Sequence, residues 1–293
     1  MRFSLPVPPS FSLPAVIRSH GWVQLAPYDS QDPYHAFAYV DRLANGRVVA
    51  YEVQPAAEGV QVTTETMLSE EERAELAHKL AWMLNLERDL EPFYTFARQE
   101  PKLAHVVEKG EGRILRSPTL FEDTVKTILT TNTSWGGTRR MVSALVDLYG
   151  EPVGEVPAPR AFPTAQALAA ADAVALRDEA KLGYRAPYVS ELARRVARGD
   201  LELEAYKTAD LPTGELRKEL LAIKGVGAYA AANLLMLLGR TDAIPIDSYA
   251  LKVVSNEFHD GQPVTPADVT AAFERFGEWL GMAFWFWSYG EET

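Results

Sequence analysis

A single carboxylate, Asp247, follows a stiff apolar lead-in, Ile244-Pro245-Ile246, and stands at the head of a predicted helix. The lead-in is expected to set the carboxylate beside buried surface. There an aspartate can stabilise a positive charge that develops opposite it, or orient an attacking water. The same residue type is also a favoured helix N-cap. Earlier in the chain, Gly225 and Gly227 flank Val226. Glycine lets the chain reverse within a few residues. It also leaves backbone N–H groups uncovered at the start of the next helix, where a phosphate can dock. Tyr229 lies two residues past the second glycine; a phenol there cannot form a Schiff base as an amine can. Lys224 precedes the turn.

Three readings of this hairpin stand side by side. It is an ordinary helix–turn–helix corner, or a dinucleotide fingerprint built on Gly225, Gly227 and Ala230 with Asp247 downstream, or a helix-hairpin-helix, a sequence-independent phosphate clamp. The fingerprint requires a strand before the first glycine. Here ELRKELLAI is charged and helix-periodic, and no further βα units follow.

The elements that must position these residues are legible in outline. Residues 215–239 read as an amphipathic helix, the hairpin, and a nearly all-apolar helix that should be buried and should stop at Gly239. Phe121, Val125, Ile128 and Leu129 are spaced as the buried face of a helix that begins near Pro118 and ends in the polar cluster TTNTSWGG (130–137). In that cluster Asn132 is either a helix cap or a reachable loop residue. Tyr184 and Arg185 open the string GYRAPYV ahead of another amphipathic run. Ser69 and Glu72 make a capping box for a helix whose stripe is Leu76, Leu80, Met83 and Leu84. Upstream, 35–43 and 47–54 read as strands joined through Asn45-Gly46, the preferred hairpin dipeptide. Residues 59–66 read as a third strand and 11–25 as a fourth. The fold class expected is α+β, an antiparallel β subdomain over 1–68 followed by a helical core over 69–293.

Composition narrows the chemistry. The chain has 293 residues and no cysteine, which excludes disulfides, cysteine-held zinc and cysteine-held iron–sulfur clusters. Its five histidines are scattered without ligand spacing. No apolar run is long enough to span a membrane, and the proline-rich start lacks the apolar core of a signal peptide, so a cytoplasmic, monomeric protein is expected. A formal net charge of −11 works against long-range attraction to nucleic acid. The acid is unevenly spread, however: residues 113–252 carry 18 Lys+Arg against 17 Asp+Glu.

Taken together, L-x-x-I-K-G-V-G-A-Y (220–229) and I-P-I-D (244–247) resemble the helix-hairpin-helix/Gly-Pro-Asp superfamily of base-excision DNA glycosylases, with Lys224 in place of the usual proline. The TTNTS loop and the GYRAPYV string resemble the 8-oxoguanine branch. There an Asn enters the space left by the extruded nucleotide, a Tyr wedges at the lesion and an Arg contacts the orphaned base; Asn132, Tyr184 and Arg185 take those positions. The arginine that reads the opposite cytosine has no match, since Gly137 stands in its place. The aromatic at 229 resembles the alkylpurine branch, similar to 3-methyladenine DNA glycosylase II, and differs from the Lys of members that also cut the strand.

The resemblance implies Asp247 as the catalytic carboxylate and Tyr229, Phe284 and Trp285 as the lining of a base pocket. It implies Lys224, Gly225, Val226 and Gly227 as backbone-binding residues, with a sodium or potassium ion held by hairpin carbonyls and no side-chain metal site. The expected partner is duplex DNA with a damaged base, an alkylated purine first and 8-oxoguanine second. A catalytically inactive DNA-structure-binding protein is the remaining alternative.

Overall fold

The structure, a computed structural model, describes residues 1–30, 35–57, 59–155 and 157–289. The predicted α+β arrangement is found: a four-stranded antiparallel sheet near the N-terminus, then helices. The strands are β1 (Arg2–Leu5), β2 (Phe37–Arg42), β3 (Val48–Ala56) and β4 (Gly59–Thr63), in the order β1-β4-β3-β2. The β2–β3 hairpin turns at Asn45-Gly46, with Gly46 at φ 89°, the left-handed conformation that glycine tolerates without cost.

One expected strand is absent. Residues 11–25 form helix α1 (Leu13–Arg18) and a 3₁₀ turn, Gly21–Gln24, while the fourth strand is the extreme N-terminus. Ser12 explains the change, because its hydroxyl caps Ala15 N–H and Pro14 occupies the first turn, two local signals that start a helix.

The helices that follow are α2 (Glu70–Met83), α3 (Glu91–Ala97), α4 (Ala104–Lys109), α5 (Leu120–Thr130), α6 (Trp135–Tyr149), α7 (Ala165–Ala170), α8 (Ala186–Arg198), α9 (Thr213–Leu221), α10 (Ala228–Leu237), α11 (Ser248–Phe258), α12 (Pro266–Phe273) and α13 (Leu280–Phe286). Helix α2 begins with the expected Ser69/Glu72 capping box, and its stripe Leu76, Leu80, Met83 and Leu84 is fully buried. By packing, the chain forms two compact units, one of residues 1–87 and 113–208, the other of 88–112 and 209–293. The final residues of the aromatic tail, 290–293, lie outside the described residues. Among the described residues no helix is long and apolar enough to cross a membrane.

In the first unit α5 departs from the amphipathic pattern. Its polar residues Glu122, Asp123, Thr124, Lys126 and Thr127 are buried as well as its apolar face. Buried charge is costly unless paired or hydrogen-bonded; Glu122 and Lys126 pair with each other, and Asp123 is held by hydrogen bonds at one oxygen. Glu122 accepts from Tyr39 Oη of β2 at 2.8 and 2.7 Å and from Lys126 Nζ at 2.6 Å. Asp123 accepts from Trp22 Nε1 at 2.7 Å and Ser117 N at 3.0 Å. This polar network joins the sheet to the helix that leads into the Asn132 loop.

Candidate active site

The candidate residues fall in both units. In the second, α9 buries Leu216 and Leu220, and the turn buries Ile223 and Val226 beneath it. Gly225 sits at φ 90°, a conformation that disfavours any side chain. Gly227 is different. It holds φ −90° and ψ −173° as the N-cap of α10, and a Cβ placed there would meet nothing within 4 Å. Neither backbone nor protein packing demands glycine at 227; its bareness leaves room for something outside the chain.

The hydrogen bonding agrees. Among the described residues the N–H groups of Gly225, Gly227, Ala228 and Tyr229 donate to no protein acceptor, and α10 has no side-chain cap. Uncapped N–H groups at a helix start, next to an open glycine, form an anion-binding geometry. Among the described residues the carbonyls of Gly225 and Val226 accept no backbone N–H either. Lys224 is exposed and Tyr229 half-buried.

Asp247 lies exposed at the start of α11, where its side chain accepts the Ala250 N–H at 2.9 Å. The N-cap role is therefore real, and the apolar lead-in does not bury the carboxylate as expected. Ile244 and Pro245 are covered, but the chain emerges at Ile246. The lead-in itself is held tightly. Arg88 donates to the Gly239 carbonyl and, at 3.1 Å, to Thr241 Oγ1. Thr241 Oγ1 donates to Glu278 O at 2.8 Å, and Gly281 N to Thr241 O at 2.7 Å. A Cβ on Gly281 would lie 2.3 Å from Ala243 O, so α13 packs backbone-to-backbone on the segment that delivers Asp247.

Tyr229 and Asp247 interact. Burial, followed by the negative charge of Asp247, pushes the Tyr229 phenol above its ordinary pKa, with a hydrogen bond from Asn233 opposing. The ring thus stays neutral beside the carboxylate. Phe284 is buried against Phe273 and Tyr289, with ring centroids at 5.6 and 5.9 Å, and belongs to the aromatic core of this unit. Trp285 is half-buried. Tyr249, two residues past Asp247, is 53% exposed. Sequence reasoning passed over it because nothing in its spacing separates it from a core aromatic.

In the first unit the structure brings Asn132, Tyr184 and Arg185 together across more than fifty residues of sequence. Asn132, at φ 47°, follows the last turn of α5, and its Nδ2 lies 3.4 Å from Tyr184 Oη. Tyr184 is half exposed in a 3₁₀ turn before α8, with the Arg185 guanidinium 4.4 Å from its ring centroid. Arg185 itself is buried. Its guanidinium donates to Thr131 O, with Nε at 3.1 Å, and to Asn132 O at 3.0 Å. In this structure Arg185 holds the loop, while Tyr184 and Asn132 carry the exposed polar and aromatic surface.

A second tether was not legible in the sequence. The Trp135 indole lies on the backbone of Gly21, where a Cβ would come within 2.3 Å of the ring, and its Nε1 donates to Gln24 Oε1 at 2.8 Å. The loop 131–137 is thus pinned by Arg185 at its start and by the 3₁₀ turn after α1 at its end.

Residues 125–278, just over half of the chain, match the family described as HhH-GPD superfamily base excision DNA repair protein. The chain belongs to the HhH-GPD superfamily. A probable N-glycosylase/DNA lyase of Methanothermobacter thermautotrophicus is 25% identical over 211 residues, 64% of this chain and 65% of that protein. A DNA-3-methyladenine glycosylase of Bacillus subtilis is 26% identical over 192 residues, 63% of this chain and 62% of that protein. The match therefore spans just under two thirds of the length of each relative. A 3-methyladenine DNA-glycosylase from Archaeoglobus fulgidus has the same fold, with a TM-score of 0.78 over 98% of this chain and 97% of that one at 24% identity. The apo form of Clostridium acetobutylicum 8-oxoguanine glycosylase/lyase matches with a TM-score of 0.68 over 93% of each chain at 23% identity.

Proposed function

We propose that this protein is a DNA glycosylase that extrudes a damaged purine, first among them an alkylated one, and hydrolyses its C1′–N bond without cutting the strand. The observation that carries the reading is the pairing of an uncapped, open hairpin with Asp247 and Tyr229 in one unit. The free N–H groups of Gly225, Gly227, Ala228 and Tyr229 would take a backbone phosphate. Positive charge develops on the sugar as the glycosidic bond lengthens, and the Asp247 carboxylate, its direction set by the Ala250 N–H, would stabilise it and orient water. Because Asp247 is exposed in the free protein, the water-poor surroundings that strengthen such an interaction would come from the bound duplex. Tyr184, with Asn132, would fill the space left by the extruded base, replacing part of the lost stacking.

Tyr229 supports the monofunctional reading. A neutral phenol beside Asp247 is not an amine nucleophile, and Lys224 stands on the exposed side of the turn. The hairpin carbonyls of Gly225 and Val226, unused by backbone N–H groups among the described residues, suit a sodium or potassium ion placed against the phosphate. A second reading has its own support. The Methanothermobacter relative is named a lyase as well as an N-glycosylase, and the Asn132–Tyr184–Arg185 group resembles the 8-oxoguanine branch.

The deciding experiment is an excision screen over alkylated, oxidised and deaminated bases, read with and without alkali and with borohydride trapping. Base release that needs alkali to break the strand, with no trapped adduct, is the expected result, and a trapped adduct would establish the lyase. Asp247→Asn should lower base release by about 10³-fold or more while duplex binding persists. Full activity of that variant on every released base would remove Asp247 from its role.

A further inference from the structure

Helix α8 begins at the Tyr184–Arg185 turn and ends in a basic cluster that the reaction does not use. Arg194, Arg195 and Arg198 make no ion pair or hydrogen bond among the described residues. They line a concave surface of about 470 Å³ with Ala186, Pro187 and Ser190 of the same helix, facing Ala173 and Arg177. The facing wall runs into a π-helical turn, Ala175–Glu179, in which Arg177 is held by Asp178 at 2.8 Å. Glu191 is the one carboxylate in the lining. Ser190 is 4% exposed, and its hydroxyl has no hydrogen-bond partner, although a buried hydroxyl normally finds one.

The helix macrodipole accounts for some of this, since cations are favoured in a last turn. It does not account for Arg194 and Arg198 at i and i+4, a like-charge spacing that weakens a helix. Nor does it account for a hollow with an unpaired hydroxyl in a protein of net charge −11. Positive charge strung along a helix, with no internal partner, is complementary to a line of phosphates rather than to a single anion.

We propose that this surface is a second DNA-backbone site that grips the duplex beyond the damaged nucleotide. The inference rests on the glycosylase reading above. From Ala186 to Arg198 the helix advances about 18 Å, so the arginines would reach phosphates up to about five base pairs from the Tyr184 wedge, at 3.4 Å per pair. Such a site would restore, where the duplex passes, the attraction that the overall acidity removes.

The test compares binding of two duplexes carrying an abasic-site analogue, one ending within about three base pairs of the site and one extending about twelve on each side, across a salt series. Combined Arg194→Gln, Arg195→Gln and Arg198→Gln should flatten the slope of log affinity against log salt by about 2–3 on the long duplex. The short duplex should be unaffected, as should single-turnover base release at saturating protein. Combined replacement by lysine should restore the slope, which separates loss of charge from loss of fold. An unchanged slope on the long duplex would overturn the site, and so would an equal change on both duplexes. Loss of binding to a polyglutamate peptide, with DNA binding intact, would overturn it in favour of an acidic protein partner. Failure of the unaltered protein to bind either duplex would sink the glycosylase reading with it, whereas tight binding without any base release would touch that reading alone.

Discussion

Two glycines separated by one residue have different jobs. Gly225 is required by its backbone, at φ 90°; Gly227 is required by neither backbone nor neighbours. Their alanine variants should therefore separate stability from binding. Gly225→Ala should cost about 1–2 kcal/mol in denaturant unfolding. Gly227→Ala should leave stability within about 0.5 kcal/mol yet weaken DNA binding about tenfold, because its methyl would stand where the phosphate approaches. Equal losses of stability in the two variants would mean that Gly227 serves the fold. Asp247 likewise carries two roles that do not exclude each other: one carboxylate both caps α11 through Ala250 N–H and faces solvent at the hairpin's unit. The cap fixes its direction, which a reactive carboxylate needs.

The loop between α5 and α6 shows how elements several dozen residues apart make one surface. Asn132 in a left-handed conformation is adaptable by residue type, yet its carbonyl is tied to Arg185 and the loop's far end is closed by Trp135 on Gly21. Gly21→Ala would drive a methyl into the Trp135 ring. It should cost about 1–3 kcal/mol as an overpacking change, with faster amide exchange over residues 131–134. Unchanged exchange there would mean that Arg185 alone holds the loop. Helix α5, which ends in this loop, makes the same point in its interior. Its apolar spacing was readable, but the burial of Glu122 and Asp123 depends on Tyr39 and Trp22 arriving from elsewhere.

For the molecule as a whole, these buried charges link stability to pH. Burial pushes Asp123 up to about 6, against hydrogen bonds from Trp22 and Ser117. Burial also pushes Asp41 up to about 6, against Lys79. A carboxyl with a raised folded pKa binds more protons folded than unfolded between the two values, so its contribution falls as pH rises from about 4 to 6. His20 works in the opposite sense. Burial lowers it to about 4, so stability is lost as pH drops from about 6.5 to 4. Glu72, held down at about 2 by Ser69 N–H, Asn45 and Arg47, loses its contribution only below about 4.5. Asp123→Asn keeps an acceptor for Trp22 and Ser117 and removes one titration. Its melting temperature relative to the unaltered protein should rise steadily from pH 4 to 6 and then level off; a constant difference would show that Asp123 does not titrate there. The same scale governs binding, since a chain of net charge −11 must present its cations locally.

What the sequence determined by itself was local. The capping box at Ser69, the Asn45-Gly46 hairpin, the helix–Gly-Val-Gly–helix turn and the Pro-x-Asp lead-in each depend on residues within a few positions of one another, and each was readable for that reason. The same locality misled at 11–25, which read as a further strand although a serine cap with a proline made a helix. Tertiary structure decided everything that depends on burial and on distant partners. It left Asp247 exposed and used Phe284 in an aromatic core. It turned Arg185 inward onto a loop more than fifty residues away, and left Arg194, Arg195 and Arg198 of α8 without ion-pair partners among the described residues. Periodicity tells which face of an element is apolar; only packing tells what covers the polar face, and the chemistry of this protein lies largely on polar faces.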